Sequence, residues 1–146
     1  MNIQRSCYAA IAHVSGAGIS GTVAFRQLKS GVLVTADITG LPENDTGFFA
    51  LHIHEGRSCG GEAFADSGAH YNPAMKPHPL HAGDLPPLLA SGGNAYLSVL
   101  TDRFTVSEIV GRTVVIHDGA DDFRSQPAGD SGTKIACGAI LCTRGR

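Results

Sequence analysis

Tryptophan is absent from the sequence, and charged residues make up only 16% of its 146 residues. No run of about 18 apolar residues occurs, so no membrane span is predicted. Lysine and arginine total 11 without clustering, and the net charge is −2, which argues against nucleic acid as a partner. Polar residues and glycines interrupt the apolar stretch near the N-terminus, so no signal peptide is predicted.

Glycine and proline are plentiful instead, with 19 and 7 residues, and hydrophobic residues make up 42% of the chain. This composition is typical of a folded domain with many turns and short strands. We expect residues 1–146 to form a single domain, because the length suits one hydrophobic core. The expected location is the cytoplasm, or outside it if a leader has been removed.

Segments with strand character recur at short spacing between turn-forming residues, and they are Cys7–Val14, Thr22–Leu28, Val32–Thr39, Phe48–His54, Asn94–Leu100, Arg112–His117 and Ile135–Leu141. Roughly eight short strands with glycine-rich connections favour an all-β antiparallel sandwich or barrel. One short helix is predicted at Thr105–Val110. Residues 56–87, the first long loop, and 118–133, the second long loop, lack a strand pattern. Loops of this length are usually functional or disordered.

Six of the seven histidines occupy positions that together suggest a metal site. His52 and His54 are two residues apart in a predicted strand, so they face the same way. His117 ends another strand, and the first long loop supplies His70, His78, His81 and Asp84. Imidazole is a common ligand of zinc and copper, and a carboxylate can complete a zinc site. Each residue alone also fits a solvated or structural role. For His13, which has no such pattern around it, a structural role is predicted.

Five short motifs resemble the copper–zinc superoxide dismutases, and they stand at residues 52–55 (HIHE), 68–73 (GAHYNP), 81–85 (HAGDL), 111–117 (GRTVVIH) and 136–138 (ACG). The resemblance covers roughly residues 7–142. It implies an eight-stranded antiparallel Greek-key barrel with two long functional loops. It also implies an oxidoreductase that converts superoxide to dioxygen and hydrogen peroxide by alternate reduction and re-oxidation of copper.

The resemblance further implies the residues of the site. One copper ion per subunit would be bound by His52, His54, His70 and His117. One zinc ion would be bound by His70, His78, His81 and Asp84. His70 would thus bridge the two metals and store a proton for peroxide formation. Asp121 is similar to the carboxylate that links the two metal sites in this family, although it could also be a solvated loop residue.

The four cysteines fall into two pairs. The resemblance implies a disulfide between Cys59 and Cys137 that ties the first long loop to the barrel. Cys7 and Cys142 lie in the first and last predicted strands, which are neighbours in this fold. A second disulfide is one alternative for them, but we expect buried free thiols.

Two departures from the family pattern bear on activity. Lys134 stands where the family has an arginine, three residues before Cys137. Lysine keeps the charge that attracts superoxide but lacks the forked geometry of arginine, so we expect a working but slower enzyme. An exposed lysine without a catalytic role is the alternative. His78 and His81 are separated by only two residues, fewer than in most relatives, so we expect a tighter zinc geometry.

Two non-enzymatic functions compete with this interpretation. The chain could be a non-catalytic copper- and zinc-binding β-sandwich, or a structural module that binds zinc alone. The four predicted copper ligands argue against both alternatives. A non-catalytic relative would be expected to have lost some of these ligands, and a zinc-only module would leave His52, His54 and His117 without a purpose. A homodimer is also compatible with the sequence.

Overall fold

Nine β-strands and two short helices make up the computed structural model, which describes residues 6–145. The expected single domain also includes Met1–Arg5 and Arg146, which lie outside the described residues. The strands are β1 (Cys7–Gly16), β2 (Ser20–Leu28), β3 (Gly31–Thr39), β4 (Phe48–Phe49), β5 (Leu51–His54), β6 (Leu88–Leu89), β7 (Ala95–Thr101), β8 (Thr113–His117) and β9 (Lys134–Gly145). The helices are a 3₁₀ helix (Glu62–Ser67) and α1 (Val106–Ile109).

Seven strands form one antiparallel sheet in the order β5-β8-β9-β1-β2-β3-β7, and β4 pairs with β6 in a short ribbon. Only Ala50 separates β4 from β5, while β6 contacts β7. The ribbon therefore spans the gap between the two edges of the curled sheet. The predicted all-β antiparallel barrel is confirmed, and it has eight strands if β4 and β5 are counted as one interrupted strand.

Buried and more exposed residues alternate strictly along the strand β3, and this alternation shows where the core lies. In β3, the side chains of Val32, Val34, Ala36 and Ile38 are fully buried, and the residues between them are partly or fully exposed. Successive side chains of a strand point to opposite faces, so one face of β3 packs into the barrel.

In β5, both faces are buried, but by different parts of the molecule. Leu51 and Ile53 belong to the hydrophobic core, whereas His52 and His54 lie on the opposite face of the strand. The neighbouring strand β8 repeats this arrangement, with Val114 and Ile116 in the core and His117 on the other face. The histidines therefore lie outside the barrel wall, where the long loops bury them.

Three elements differ from the predicted ones, and one of them is the short strand β6, which was not predicted. The predicted strand Phe48–His54 is interrupted at Ala50, because β4 pairs with β6 whereas β5 pairs with β8. The first long loop, predicted without regular structure, contains the 3₁₀ helix. The predicted helix after β7 is confirmed, and the Thr105 hydroxyl caps it by accepting a hydrogen bond from the Glu108 N–H. None of the helices in residues 6–145 has the length and apolar character needed to cross a membrane.

All four cysteines are in disulfides. The expected bridge between Cys59 and Cys137 is confirmed, and it joins the first long loop to β9. The expectation of free thiols at Cys7 and Cys142 is wrong, because these residues form a second bridge with a Cα–Cα distance of 6.0 Å. Irregular register between Cys7 and Ala10 in the β1–β9 ladder accompanies this bridge, and such a bulge is not visible in the sequence.

Candidate metal centre

Six histidines and two aspartates converge beneath the two long loops, outside β5 and β8. Their ligand atoms form two main sets, each with all atoms within 4.8 Å of one another. The four-histidine group consists of His52, His54, His70 and His117. The Asp84 group consists of His70, His78, His81 and Asp84. His13, on the exposed face of β1, belongs to neither group.

The first long loop reaches the site by pairing with the edge of β5. The Ile53 N–H donates to the Gly83 carbonyl, and the Tyr71 N–H donates to the Ile53 carbonyl, both at 2.8 Å. These bonds place His70 beside His54 and Asp84 beside His52. Gly83 permits the close approach, because a Cβ there would lie 2.3 Å from the Ile53 carbonyl oxygen.

Backbone carbonyls orient two rings of the four-histidine group. The Nδ1–H of His54 donates to Gly68 at 2.8 Å, and that of His117 donates to Gly132 at 3.2 Å. These bonds fix the tautomers and leave both Nε2 atoms as lone-pair donors. The two Nε2 atoms lie 3.3 Å apart, so they face a common point.

Asp121 connects the two groups through one carboxylate. Its Oδ2 accepts a hydrogen bond from His52 Nε2 at 2.9 Å, and its Oδ1 accepts one from His78 Nε2 at 2.7 Å. Both rings thereby keep their Nδ1 atoms free to bind a metal.

The Asp84 carboxylate is the centre of the second group. Its Oδ1 lies 2.9 Å from His70 Nδ1, and its Oδ2 lies 3.1 Å from His78 Nδ1 and 3.3 Å from His81 Nδ1. The His78 contact lacks hydrogen-bond geometry, so this nitrogen is close to the carboxylate without being satisfied by it. Three imidazole nitrogens and one carboxylate form a donor set that suits a four-coordinate zinc ion.

His70 is common to both groups. Its Nδ1 faces Asp84 and His81, while Nε2 is buried and lacks a hydrogen-bond partner in residues 6–145. Its ring packs against that of His52 with a centroid separation of 3.9 Å and an interplanar angle of 35°. The two nitrogens of one imidazole can therefore serve two neighbouring sites.

The electrostatics of the cluster favour a cation. Burial lowers the pKa of His54 to about 2 and, with a contribution from His52, that of His117 to about 3. Burial would raise the pKa of Asp121, but hydrogen bonds from His52 and His78 lower it overall. At neutral pH these two rings are neutral, as imidazole ligands of a metal must be, and the Asp121 carboxylate is ionised.

The unsatisfied atoms give an independent test of fit. His52 Nδ1, His70 Nε2 and His78 Nδ1 are buried and have no hydrogen-bond partner among the described residues. Leaving such an atom unsatisfied costs about 1–3 kcal/mol. All three atoms belong to residues of the two groups, whereas the one other such atom in the described residues, Arg112 Nε, lies outside them. Bound copper and zinc would satisfy the three atoms, and the residues present fit both ions.

A cavity of about 370 Å³ opens onto the four-histidine group, and its walls include His54, His70, His117, Pro127 and Lys134. The Lys134 Nζ donates to Ser67 Oγ and to the Gly68 carbonyl, both at 2.8 Å. Gly68 also accepts from His54, so one carbonyl joins the lysine to the histidine group. The Lys134 side chain is partly buried, and this burial lowers its pKa.

Sequence reasoning missed two polar residues of the site. Ser67 holds Lys134, and Gln126 hydrogen bonds to the backbone of His78. Neither lies in a motif with a recognisable chemical role. The Gln126 contact joins the two long loops, and the Ser67 contact joins the first long loop to β9, so both depend on the folded chain.

Comparisons with known proteins agree with this geometry. A family model described as copper/zinc superoxide dismutase matches residues 19–140. Cu-Zn superoxide dismutase 2 of Aquifex aeolicus is 36% identical over 137 residues, covering 84% of this chain and 79% of its relative. The Cu-Zn superoxide dismutase of Legionella pneumophila is 38% identical over 128 residues, with 82% and 76% covered.

The fold has a close counterpart among solved structures. The crystal structure of the clock protein EA4 superimposes with a TM-score of 0.82 at 31% identity, covering 93% of this chain and 95% of that one. The family match spans most of the residues that form the barrel and includes both groups of ligand atoms. The chain belongs to the copper/zinc superoxide dismutase family.

Proposed function

We propose that this protein is a superoxide dismutase, in which two superoxide anions and two protons give one dioxygen and one hydrogen peroxide. The observation that supports the proposal most strongly is that the imidazole of His70 belongs to both ligand groups at once. A protein that only bound zinc would have no use for the buried, unsatisfied Nε2 of this ring.

In this proposal, His52, His54, His70 and His117 hold copper. Four imidazoles are ligands that suit this ion. Copper, when bound, supplies the one-electron acceptor and donor for the two half-reactions. The ring bonds to Gly68, Gly132 and Asp121 support this assignment, because each leaves one nitrogen of its histidine available.

His70, His78, His81 and Asp84 hold zinc, which has no redox chemistry of its own. Zinc would anchor Nδ1 of His70 and the first long loop. The short His78–His81 spacing does not prevent these residues from meeting, since all four ligand atoms lie within 4.8 Å of one another. Asp121 orients His52 and His78 together, so the two metal sites would share one restraint.

His70 and Lys134 are the proposed catalytic residues. His70 Nε2 is the atom at which a proton can be held beside the cavity and passed to the developing peroxide. Lys134 Nζ carries the positive charge in the cavity wall that attracts the superoxide anion. The second long loop has Arg124 as its one basic residue beside four aspartates, so Lys134 has little help in attracting an anion.

The test is superoxide removal by protein loaded with both metals, compared with His54→Ala and with His13→Ala as the control for losing a histidine away from the site. We expect activity in the wild type and His13→Ala, and its loss in His54→Ala. If all three bind copper and zinc equally and none removes superoxide, the non-catalytic metal-binding alternative is correct.

Three further expectations belong to this proposal. The two disulfides favour the exported alternative, because such bonds persist in oxidising compartments. The exposed cross-strand pair Phe48 and Leu89 is a candidate contact surface for a homodimer. Sedimentation of the metal-loaded protein measures whether the dimer forms. A single cooperative unfolding transition would support one domain, as the one continuous hydrophobic cluster suggests.

A further inference from the structure

The side chain of Gln126 holds the backbone of His78 at two points. The His78 N–H donates to Gln126 Oε1 at 2.9 Å, and Gln126 Nε2 donates to the His78 carbonyl at 2.8 Å. The amide group thus pairs with the peptide groups of His78 as a neighbouring strand would. Gln126 Nε2 also donates to the Arg124 carbonyl at 3.0 Å, which fixes the amide within its own loop.

The ring of His78 is held from the same loop. Its Nε2–H donates to Asp121 Oδ1 at 2.7 Å. The backbone N–H, the backbone carbonyl and one ring nitrogen of His78 are therefore all bonded to the second long loop. The remaining polar atom, Nδ1, is left facing Asp84 Oδ2 at 3.1 Å.

The first long loop gives His78 no comparable support. Among the described residues, no backbone hydrogen bond uses the N–H or carbonyl of His78, and the nearest one joins Leu80 to Pro77. Only Pro79 and Leu80 separate His78 from His81, so little chain is available to fold back on the residue. The restraint that positions this histidine comes from outside its loop.

We propose that Gln126 is the positioning residue of the zinc half, setting the backbone of His78 so that Nδ1 points at the Asp84 group. This inference rests on the proposed function, in which His78 is a zinc ligand. Partners that orient metal ligands typically contribute 10–100-fold to metal affinity.

Gln27 offers a matched control elsewhere in the molecule. Its Oε1 accepts a hydrogen bond from the Val106 N–H at 2.9 Å, and its Nε2 donates to the Leu28 carbonyl at 3.1 Å. It bridges two backbone segments as Gln126 does, but neither segment contributes a proposed metal ligand. A purely structural role predicts the same consequence for the loss of either glutamine.

The experiment measures zinc affinity of copper-free protein by competition with a chromophoric chelator, and the absorption spectrum of Co²⁺ bound in place of zinc. The variants are Gln126→Ala, Gln126→Glu, Gln27→Ala and His78→Ala. Gln126→Glu keeps the acceptor for the His78 N–H but replaces the donor with an oxygen that repels the His78 carbonyl. Because glutamate also has the shape of glutamine, this variant still tests the role of the side chain if Gln126→Ala folds poorly.

We expect zinc affinity to fall about tenfold or more in both Gln126 variants, with a changed Co²⁺ spectrum, and to stay near the wild-type value in Gln27→Ala. Wild-type affinity in both Gln126 variants, with loss in His78→Ala, would overturn the role of Gln126 and leave the proposed zinc site intact. Equal losses in the Gln126 and Gln27 variants would also overturn it. Undiminished affinity in His78→Ala would reject His78 as a ligand, and the role of Gln126 with it.

Discussion

The carboxylate of Asp121 accepts a hydrogen bond from His78 at 2.7 Å, and Gly129 packs directly against this contact. A Cβ at position 129 would lie 2.1 Å from Asp121 Oδ1 and 2.7 Å from His78 Nε2. Because Asp121 also holds His52, this one contact joins residues of both ligand groups. The second long loop thereby determines the orientation of rings supplied by the barrel and by the first loop.

Gly129→Ala should therefore damage both metal sites. The residue has a φ of +73°, which disfavours any side chain, and the added methyl group would also displace Asp121. We expect zinc and copper affinities to fall about 10–100-fold, measured by competition titrations. Gly18→Ala is the matched control, with a φ of +74° and no atom within 4 Å of the new Cβ. Equal, small effects of the two substitutions would contradict the role given to this contact.

The metal-free protein should lose stability as the pH falls. The folded-state pKa of His54 is about 2 and that of His117 about 3, below the value near 6.5 of an unfolded histidine. Between about pH 6.5 and these values the unfolded chain binds more protons, so stability decreases on acidification. Each ring contributes a slope on the order of 1 kcal/mol per pH unit.

Asp84 and Asp121 act in the same direction at lower pH, because their pKa values are lowered in the folded protein. Their stabilising contribution is present above about pH 4 and is lost as the carboxylates become protonated. Chemical unfolding of the metal-free protein at a series of pH values measures the combined slope. A free energy of unfolding that stays constant between pH 7 and 5 would contradict the buried, neutral state of the histidines.

The two disulfides should differ in what they stabilise. Alkylation of the denatured, unreduced protein followed by mass spectrometry should find no free thiol, because both pairs are bridged. Cys7→Ser with Cys142→Ser should lower the free energy of unfolding by about 2–5 kcal/mol and leave metal affinity unchanged. Cys59→Ser with Cys137→Ser should lower both, since this bridge anchors the first long loop. Two free thiols in the native protein would exclude the second bridge.

Lys134 should control the rate through its charge and geometry. We expect Lys134→Gln to lower kcat/KM for superoxide roughly tenfold and to reduce its dependence on salt, because the attracting charge is lost. Lys134→Arg should raise the rate, since guanidinium offers two-point contact with an anion. Lys76→Gln, an exposed residue of the first long loop, is the control for net charge. Equal rates in wild type and Lys134→Gln would remove Lys134 from the catalytic residues.

The same lysine should limit activity at alkaline pH. Burial lowers the pKa of Lys134 below its usual value of 10.5, so its charge is lost earlier as the pH rises. Activity should therefore decline below the pH at which an ordinary lysine titrates, and Lys134→Arg should extend it to higher pH. A pH profile of kcat/KM for both proteins provides the comparison.

The sequence was informative where a local pattern reflects the fold. Alternation in β3 and the two-residue spacing of His52 and His54 follow directly from strand geometry, so strands and a shared face could be predicted. The likeness of the motifs to a family then predicted the barrel and the Cys59–Cys137 bridge, which are confirmed. The roles assigned to individual ligands stay predictions.

The missed features depend on contacts between distant segments. A change of pairing partner interrupts the strand at Ala50, and a bulge in the β1–β9 ladder accompanies the Cys7–Cys142 bridge. The two-point contact of Gln126 with His78 requires both long loops to be folded. No local pattern records such contacts, because they depend on how the chain packs in three dimensions.

In the proposed function, the four-histidine group beside a zinc-loaded Asp84 group makes this protein a superoxide dismutase. The most direct measurement is the rate of superoxide removal by zinc-loaded protein during a titration with copper. We predict that the rate rises in proportion to added copper and reaches a plateau at about one ion per chain, as expected for one four-ligand site. Full occupancy of both sites without copper-dependent removal of superoxide would contradict the claim.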